Sequence, residues 1–218
     1  MAALIDRERR ARAKARKAAA TDAIVSAARR AFETKALSGL SLPVIGQMAG
    51  VPAGKPELYF GSLEELFLLV LGREQQRWIS AVEAAIDEPP THLTVASAGD
   101  RLANSLVDFG LLARMWSLAP QVFESQVDVS VAIAAANDLH GRLEVLGGRL
   151  AERCDGIAGQ DGTDAVRRCL DVAGALHSVC HPSGANAMAA VRHGEAPAWD
   201  RELRRLVPAV LESYASAG

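Results

Sequence analysis

Aromatic residues make up only 5% of this 218-residue sequence, and cysteine occurs three times. Scarce aromatics beside abundant Ala, Leu, Arg and Glu favour helix, because Ala and straight-chain residues lose little side-chain freedom on entering one. Cys154, Cys169 and Cys180 cannot all pair within one chain, and their spacing matches no zinc pattern, so they read as small buried hydrophobes. No apolar run approaches a membrane span, and the N-terminus, charged from Asp6 onward, is the opposite of a signal peptide. No membrane partner is expected, and the cytoplasm is the expected compartment. Glycine-rich phosphate loops, a nucleophile elbow and a metal-ligand set are all missing, so a catalytic reading has no residues to name. No cofactor or metal is implied.

What the chain does have is charge asymmetry. Residues 1–60 hold 11 Lys and Arg against 5 Asp and Glu, a net of +6; the remainder holds 13 against 21, a net of −8. All four lysines, Lys14, Lys17, Lys35 and Lys55, lie in the first part. That split points to a basic head able to meet a polyanion and an acidic body that does not. A solvated basic tail on an ordinary domain has the same composition.

Residues 7–17, RERRARAKARK, lack apolar periodicity and read as either a disordered arm or the start of a helix. Beyond them Ile24, Ala27, Ala28 and Phe32 form an amphipathic stripe that should end near Lys35. Ser41 looks like an N-cap with Pro43 in the first turn, Val44, Ile45 and Met48 as the apolar face, and Gly50 as the stop. Ser62 with Glu65 three residues on is a capping box, opening a long helix from Leu63 to about Ile86 that Pro89 and Pro90 close. Further helices are expected over 93–109, 110–125, 127–154, 163–180 and 199–215, joined by Gly- and Pro-rich segments such as 155–162 and 182–198.

A short helix, a Gly-containing turn at Ala49-Gly50-Val51 and a second short element make a helix-turn-helix, whose second helix sits in the major groove of DNA. From Ile24 to Leu66 the residues resemble the TetR family of bacterial regulators: Ile24-Val25-Ser26-Ala27-Ala28, Phe32, Ser41, Ile45, Ala49-Gly50-Val51, Tyr59-Phe60, Ser62 and Glu64-Glu65-Leu66. The chain departs from that pattern at Pro52, in place of a small polar cap, and at Pro56, in place of an apolar helical residue. Glu57 stands where tyrosine is common and Leu63 where lysine is usual, while Lys55 replaces a frequent threonine. With two prolines the recognition helix should start late, capped by Gly54 or Lys55, and run only from Pro56 to Phe60.

The resemblance implies an all-α protein: a basic arm and three-helix helix-turn-helix domain, 1–61, joined by a long helix to a helical effector-binding and dimerisation domain, 62–218. It implies three partners: double-stranded DNA, a second copy of the chain, and a small apolar or amphipathic effector. Arg12, Lys14, Arg16, Lys17, Ser41, Lys55, Glu57 and Tyr59 are the DNA-contact candidates. Phe109, Met115, Trp116 and Phe123, with Asn137, His140 and His177 on helices expected to face them, are candidates for an apolar pocket with sparse polar groups, or simply core. Val166, Leu170 and Ala173, with Leu203, Leu206 and Val210, are the expected dimer faces, unless one subunit buries them itself. His177, Cys180 and His181 share a helical spacing that a metal could use but read more simply as packing residues. A ligand-responsive repressor on a palindromic operator is the leading reading. A non-specific DNA-coating protein of the same ancestry and, behind it, a helical enzyme are the alternatives.

Overall fold

The computed structural model describes residues 2–90, 92–125, 127–182 and 197–215. Most of the expected 182–198 connection lies outside them. The helices are α1 (Ala2–Thr34), α2 (Leu42–Ala49), α3 (Leu63–Asp87), α4 (Val95–Val107), α5 (Gly110–Phe123), α6 (Val129–Arg153), α7 (Gly159–Cys180) and α8 (Trp199–Glu212), with 3₁₀ turns at Leu37–Gly39 and Pro56–Leu58. The fold is all-α. A parallel bridge between Leu93 and Cys154 is the strand-like pairing among the described residues. The chain divides into two compact units, Met1–Val70 and Leu71–Gly218.

In the first unit the basic run is helical and continuous with the amphipathic segment. Ile24, Ala27 and Ala28 are fully buried and Phe32 nearly so. Ring packing between Phe32 and Phe67, centroids 5.3 Å apart and edge to face, holds α1 on the start of α3. Ser41 Oγ accepts from Val44 N at 3.4 Å, and Gly50 ends α2 at φ 67°, a left-handed conformation that glycine enters without a Cβ clash. The capping box of α3 is shifted. Ser62 Oγ accepts from Glu65 N at 3.0 Å, but the Glu65 carboxylate reaches back to Gly61 N, at 2.9 Å, one residue before the cap.

In the second unit α7 packs on α5, α6 and α8, and α4 packs on α8. The α4–α8 approach is close: a Cβ on Gly99 would lie 2.6 Å from Pro208 Cα. Leu102, Ala103, Leu106, Leu112, Met115, Leu146, Leu150 and Leu203 make up part of the core, all fully buried. The free end of α3 is closed by Arg101 of α4, whose guanidinium donates to the carbonyls of Glu88 at 2.8 Å and Pro89 at 3.3 Å. Arg149 of α6 pairs with Glu83 and Asp87 of α3, both at 2.8 Å. Helix α7 begins at Gly159 rather than at 163, so the second half of the expected 155–162 loop is helical. Its first turn lies against α6, and Gly162 belongs inside the helix because any Cβ there would strike the Gly147 carbonyl at 2.4 Å.

Candidate nucleic-acid interface and helical body

Pro56 is the keystone of the short recognition turn. It is buried, and its ring occupies the space where a Cβ on Gly46 would sit, 2.4 Å from Cγ. The proline therefore seats the turn on α2 while leaving its own missing N–H at the first helical position, where no partner is needed. Lys55 caps the turn, Tyr59 N and Phe60 N both bond Pro56 O, and Glu57 and Leu58 face solvent, Leu58 at 71% exposure. The helical part is a 3₁₀ turn ending at Leu58, shorter than the expected Pro56 to Phe60.

Beside this turn runs a groove of about 450 Å³ lined by Ala13, Arg16, Lys17 and Ala20 of α1 with Val51, Pro52, Lys55 and Tyr59. Lys17 Nζ stands 5.8 Å from the centroid of the Tyr59 ring, a cation–π contact that ties the basic helix to the turn. Four of the DNA-contact candidates, Arg16, Lys17, Lys55 and Tyr59, thus share one groove. Arg12 and Lys14 lie exposed further along α1, Glu57 is exposed outside the groove lining, and Ser41 spends its hydroxyl on the α2 cap.

The pocket candidates of the body are only partly gathered. Met115 is fully buried, Phe109, Trp116 and Phe123 are half-buried, and the Trp116 Nε1 donates to Asp171 Oδ1 at 2.9 Å. Asn137 and His140 do not join them: both are exposed on α6, and His140 pairs with Glu144 at 3.3 Å. The cause is helical phase, since Leu139, Leu143, Leu146 and Leu150 take the inward face. His177 lies at the end of α7 in a ring cluster, stacked on His181 at 4.5 Å and edge-on to Trp199 at 5.7 Å. Burial, aided by repulsion from His181 and Arg114, pushes its pKa down to about 4.

The expected dimer faces need correction in the same way. Val166, Leu170, Ala173 and Leu203 are fully buried within the single chain, because α7 is sandwiched between its own α5, α6 and α8; Leu206 and Val210 are half-buried. The exposed apolar side chains lie elsewhere, at Val129, Ile133 and Val145 of α6 and at Val179 of α7. All three cysteines are buried free thiols, and burial raises the Cys169 pKa to about 12, so that thiol stays protonated and inert. Among the described residues no three His, Cys, Asp or Glu side chains converge, and no helix is long and apolar enough to cross a membrane.

Sequence reading missed Gln75. Fully buried on α3, it donates from Nε2 to Leu139 O at 3.0 Å, while its Oε1 finds no partner among the described residues. The signal was present as a polar residue within the stripe Leu71, Gln75, Trp78, Val82 and Ile86.

Residues 72–215 match the family model described as "Tetracyclin repressor-like, C-terminal domain". No curated protein matches the chain. Among solved structures it is similar to a protein of unknown function from Rhodococcus sp. RHA1, with TM-score 0.58 and 16% identity over 90% of this chain and 96% of that one. A second similar structure, from Mesorhizobium loti MAFF303099 and assigned to TetR-family transcriptional regulators, gives TM-score 0.53 and 19% identity over 91% and 96%. At these identities the likeness is one of fold.

Proposed function

Because the chain belongs to the TetR family of transcriptional regulators, we propose that it is a ligand-responsive repressor that binds a palindromic operator as a dimer. Residues 1–61 are the reading head and 62–218 the effector-binding and dimerising body. The observation that carries the DNA reading is the groove beside the recognition turn, where Arg16, Lys17 and Lys55 converge around Tyr59 with no acidic side chain among the described residues of the lining. Cations placed there neutralise phosphates and fix the head on the duplex, while side chains of the turn meet base edges.

For the effector, Gln75 Oε1, a buried acceptor with no partner among the described residues, supports a molecule that carries a hydrogen-bond donor. A buried acceptor without a partner costs roughly 1–3 kcal/mol, and a ligand donor reaching Oε1 removes that cost. Binding then favours a dimer whose two heads are wrongly spaced for successive major grooves, which lowers DNA affinity. Dimerisation itself is assigned to the exposed apolar residues of α6 and α7, since the buried faces of α7 and α8 are already occupied.

One observation favours the second reading, a non-specific DNA-coating protein. The recognition turn is three residues long and carries Glu57 outward, which repels phosphates. Selecting bound sequences from a random duplex pool decides between them. A palindrome with half-sites a whole number of helical turns apart supports the repressor; a pool that enriches no motif supports coating.

A further inference from the structure

The recognition turn is a single 3₁₀ turn of three residues, and its pitch settles which side chains share a side. In such a turn residues three apart eclipse one another, about 6 Å apart along the axis. Pro56 and Tyr59 therefore share one side, and the chain itself covers it: Pro56 is seated against Gly46 of α2, and Tyr59 meets Lys17 of α1. Lys55 and Leu58 share another, with Leu58 N donating to Lys55 O at 3.1 Å. That side is open. Leu58 is 71% exposed, more than any other large apolar side chain among the described residues of the first unit, while Lys55 lines the cationic groove. A single exposed leucine on a protein surface needs no explanation by itself. This one stands a turn along from a cation that a phosphate would engage, which fixes what it faces once the head is docked.

We propose that Leu58 is a specificity-determining residue that packs on the C5-methyl group of a thymine in the major groove. This rests on the DNA-binding reading above and adds which base the turn reads and by what chemistry. Leucine carries no side-chain donor or acceptor, so the polar atoms of the base edges offer it nothing to pair with. The thymine methyl is the one apolar group on the major-groove edges of the base pairs. It is also the part of the pyrimidine edge nearest the sugar–phosphate wall of its own strand. A turn of three residues is too short to lie along the groove floor as a helix of several turns does. It reaches the bases beside the wall that Lys55 grips, which is where that methyl stands. Lys55 then holds the phosphate and positions the turn, while Leu58 supplies the sequence information. Packing takes apolar surface of both partners out of water, and one methyl group so buried is worth about fourfold in affinity.

The test uses the full-length chain and the duplex that it enriches from a random pool. Each thymine is replaced in turn by uracil, which keeps the base pair and removes the methyl alone. One thymine in each half-site is expected to lose about fourfold in affinity on that change. At the same position, 5-methylcytosine should bind more tightly than cytosine by the same factor. In Leu58→Ala the thymine-to-uracil change should have no effect. That side chain is exposed, so the variant should keep the native thermal midpoint. Its slope of log K against log salt should equal the native one, because no phosphate contact is lost. A shallower slope would make Leu58 a support for Lys55 and overturns the proposal. So does an enriched motif in which no thymine responds to uracil, a Leu58→Ala chain that responds as the native one does, or a pool that enriches no motif. Each of these leaves DNA binding standing. Failure of the native chain to bind any duplex overturns both.

Discussion

Glu57 is an exposed carboxylate one residue from Pro56, on the surface that carries Lys55 and the Lys17–Tyr59 contact. A negative charge there opposes the approach of phosphates unless a base amino group donates to it. Glu57→Gln is therefore expected to strengthen binding to random duplex by about 1.4- to fivefold, from the roughly 0.2–1 kcal/mol of an exposed charge interaction. Anisotropy titrations at fixed salt measure it; weaker binding would place Glu57 on a cytosine instead. His177 gives a second residue-scale prediction. Its pKa falls from 6.5 to about 4 because burial penalises the imidazolium. Below pH 6.5 the unfolded chain takes up a proton that the folded chain refuses, so stability is lost as pH falls from 6.5 towards 4. His177→Gln should lower the thermal midpoint less between pH 7 and pH 4.5 than the native chain does, with scans at matched ionic strength as the check. Sequence could mark His177 as a polar residue on an apolar helix. The stacking on His181 and the edge contact with Trp199, 22 residues away, are tertiary facts that spacing does not contain.

Elements were legible where their signals are local. Ser41, Gly50, Ser62 with Glu65, and the Ile24–Phe32 stripe each act within one or two turns, and each does in the structure what its chemistry dictates. The late start of the recognition turn was legible for the same reason, since a proline restricts its own neighbours. The start of α7 was not, because Gly162 reads as a loop residue until Gly147 of α6 is known to lie against it. Phase was the other failure: the leucines of α6 could have shown that Asn137 and His140 face outward. The Gly46–Pro56 seat gives a prediction at this scale. Gly46→Ala drives a Cβ to 2.4 Å from Pro56 Cγ and must shift the turn, at a cost of about 1–3 kcal/mol. Gly39→Ala, with nothing within 4 Å of the new methyl, is the control. Urea midpoints and duplex affinity should fall together in the first variant and in neither measure in the second.

At the scale of the whole molecule, an apolar helix face in a sequence does not say whose side chains cover it. Val166, Leu170, Ala173 and Leu203 were candidates for an interface, and the chain covers them with its own helices. The large apolar side chains left exposed on these helices are Val129 at 72%, Ile133 at 56% and Val145 at 61% on α6, with Val179 at 56% on α7. Ile133→Glu with Val179→Glu should convert a dimer to a folded monomer by light scattering, with helicity unchanged by circular dichroism. A dimer mass in that double variant would move the interface elsewhere.

The central claim is that the head reads sequence and does not merely coat DNA. The measurement that bears on it most directly is the ratio of affinities, at one physiological salt concentration, for the palindrome that the chain selects and for a scrambled duplex of equal length. The account predicts a ratio of at least about 10³, the lower end for specific DNA-binding proteins. It also predicts that the ratio falls when the turn is displaced by Gly46→Ala. Equal affinities for the two duplexes, with equal salt slopes, would contradict it.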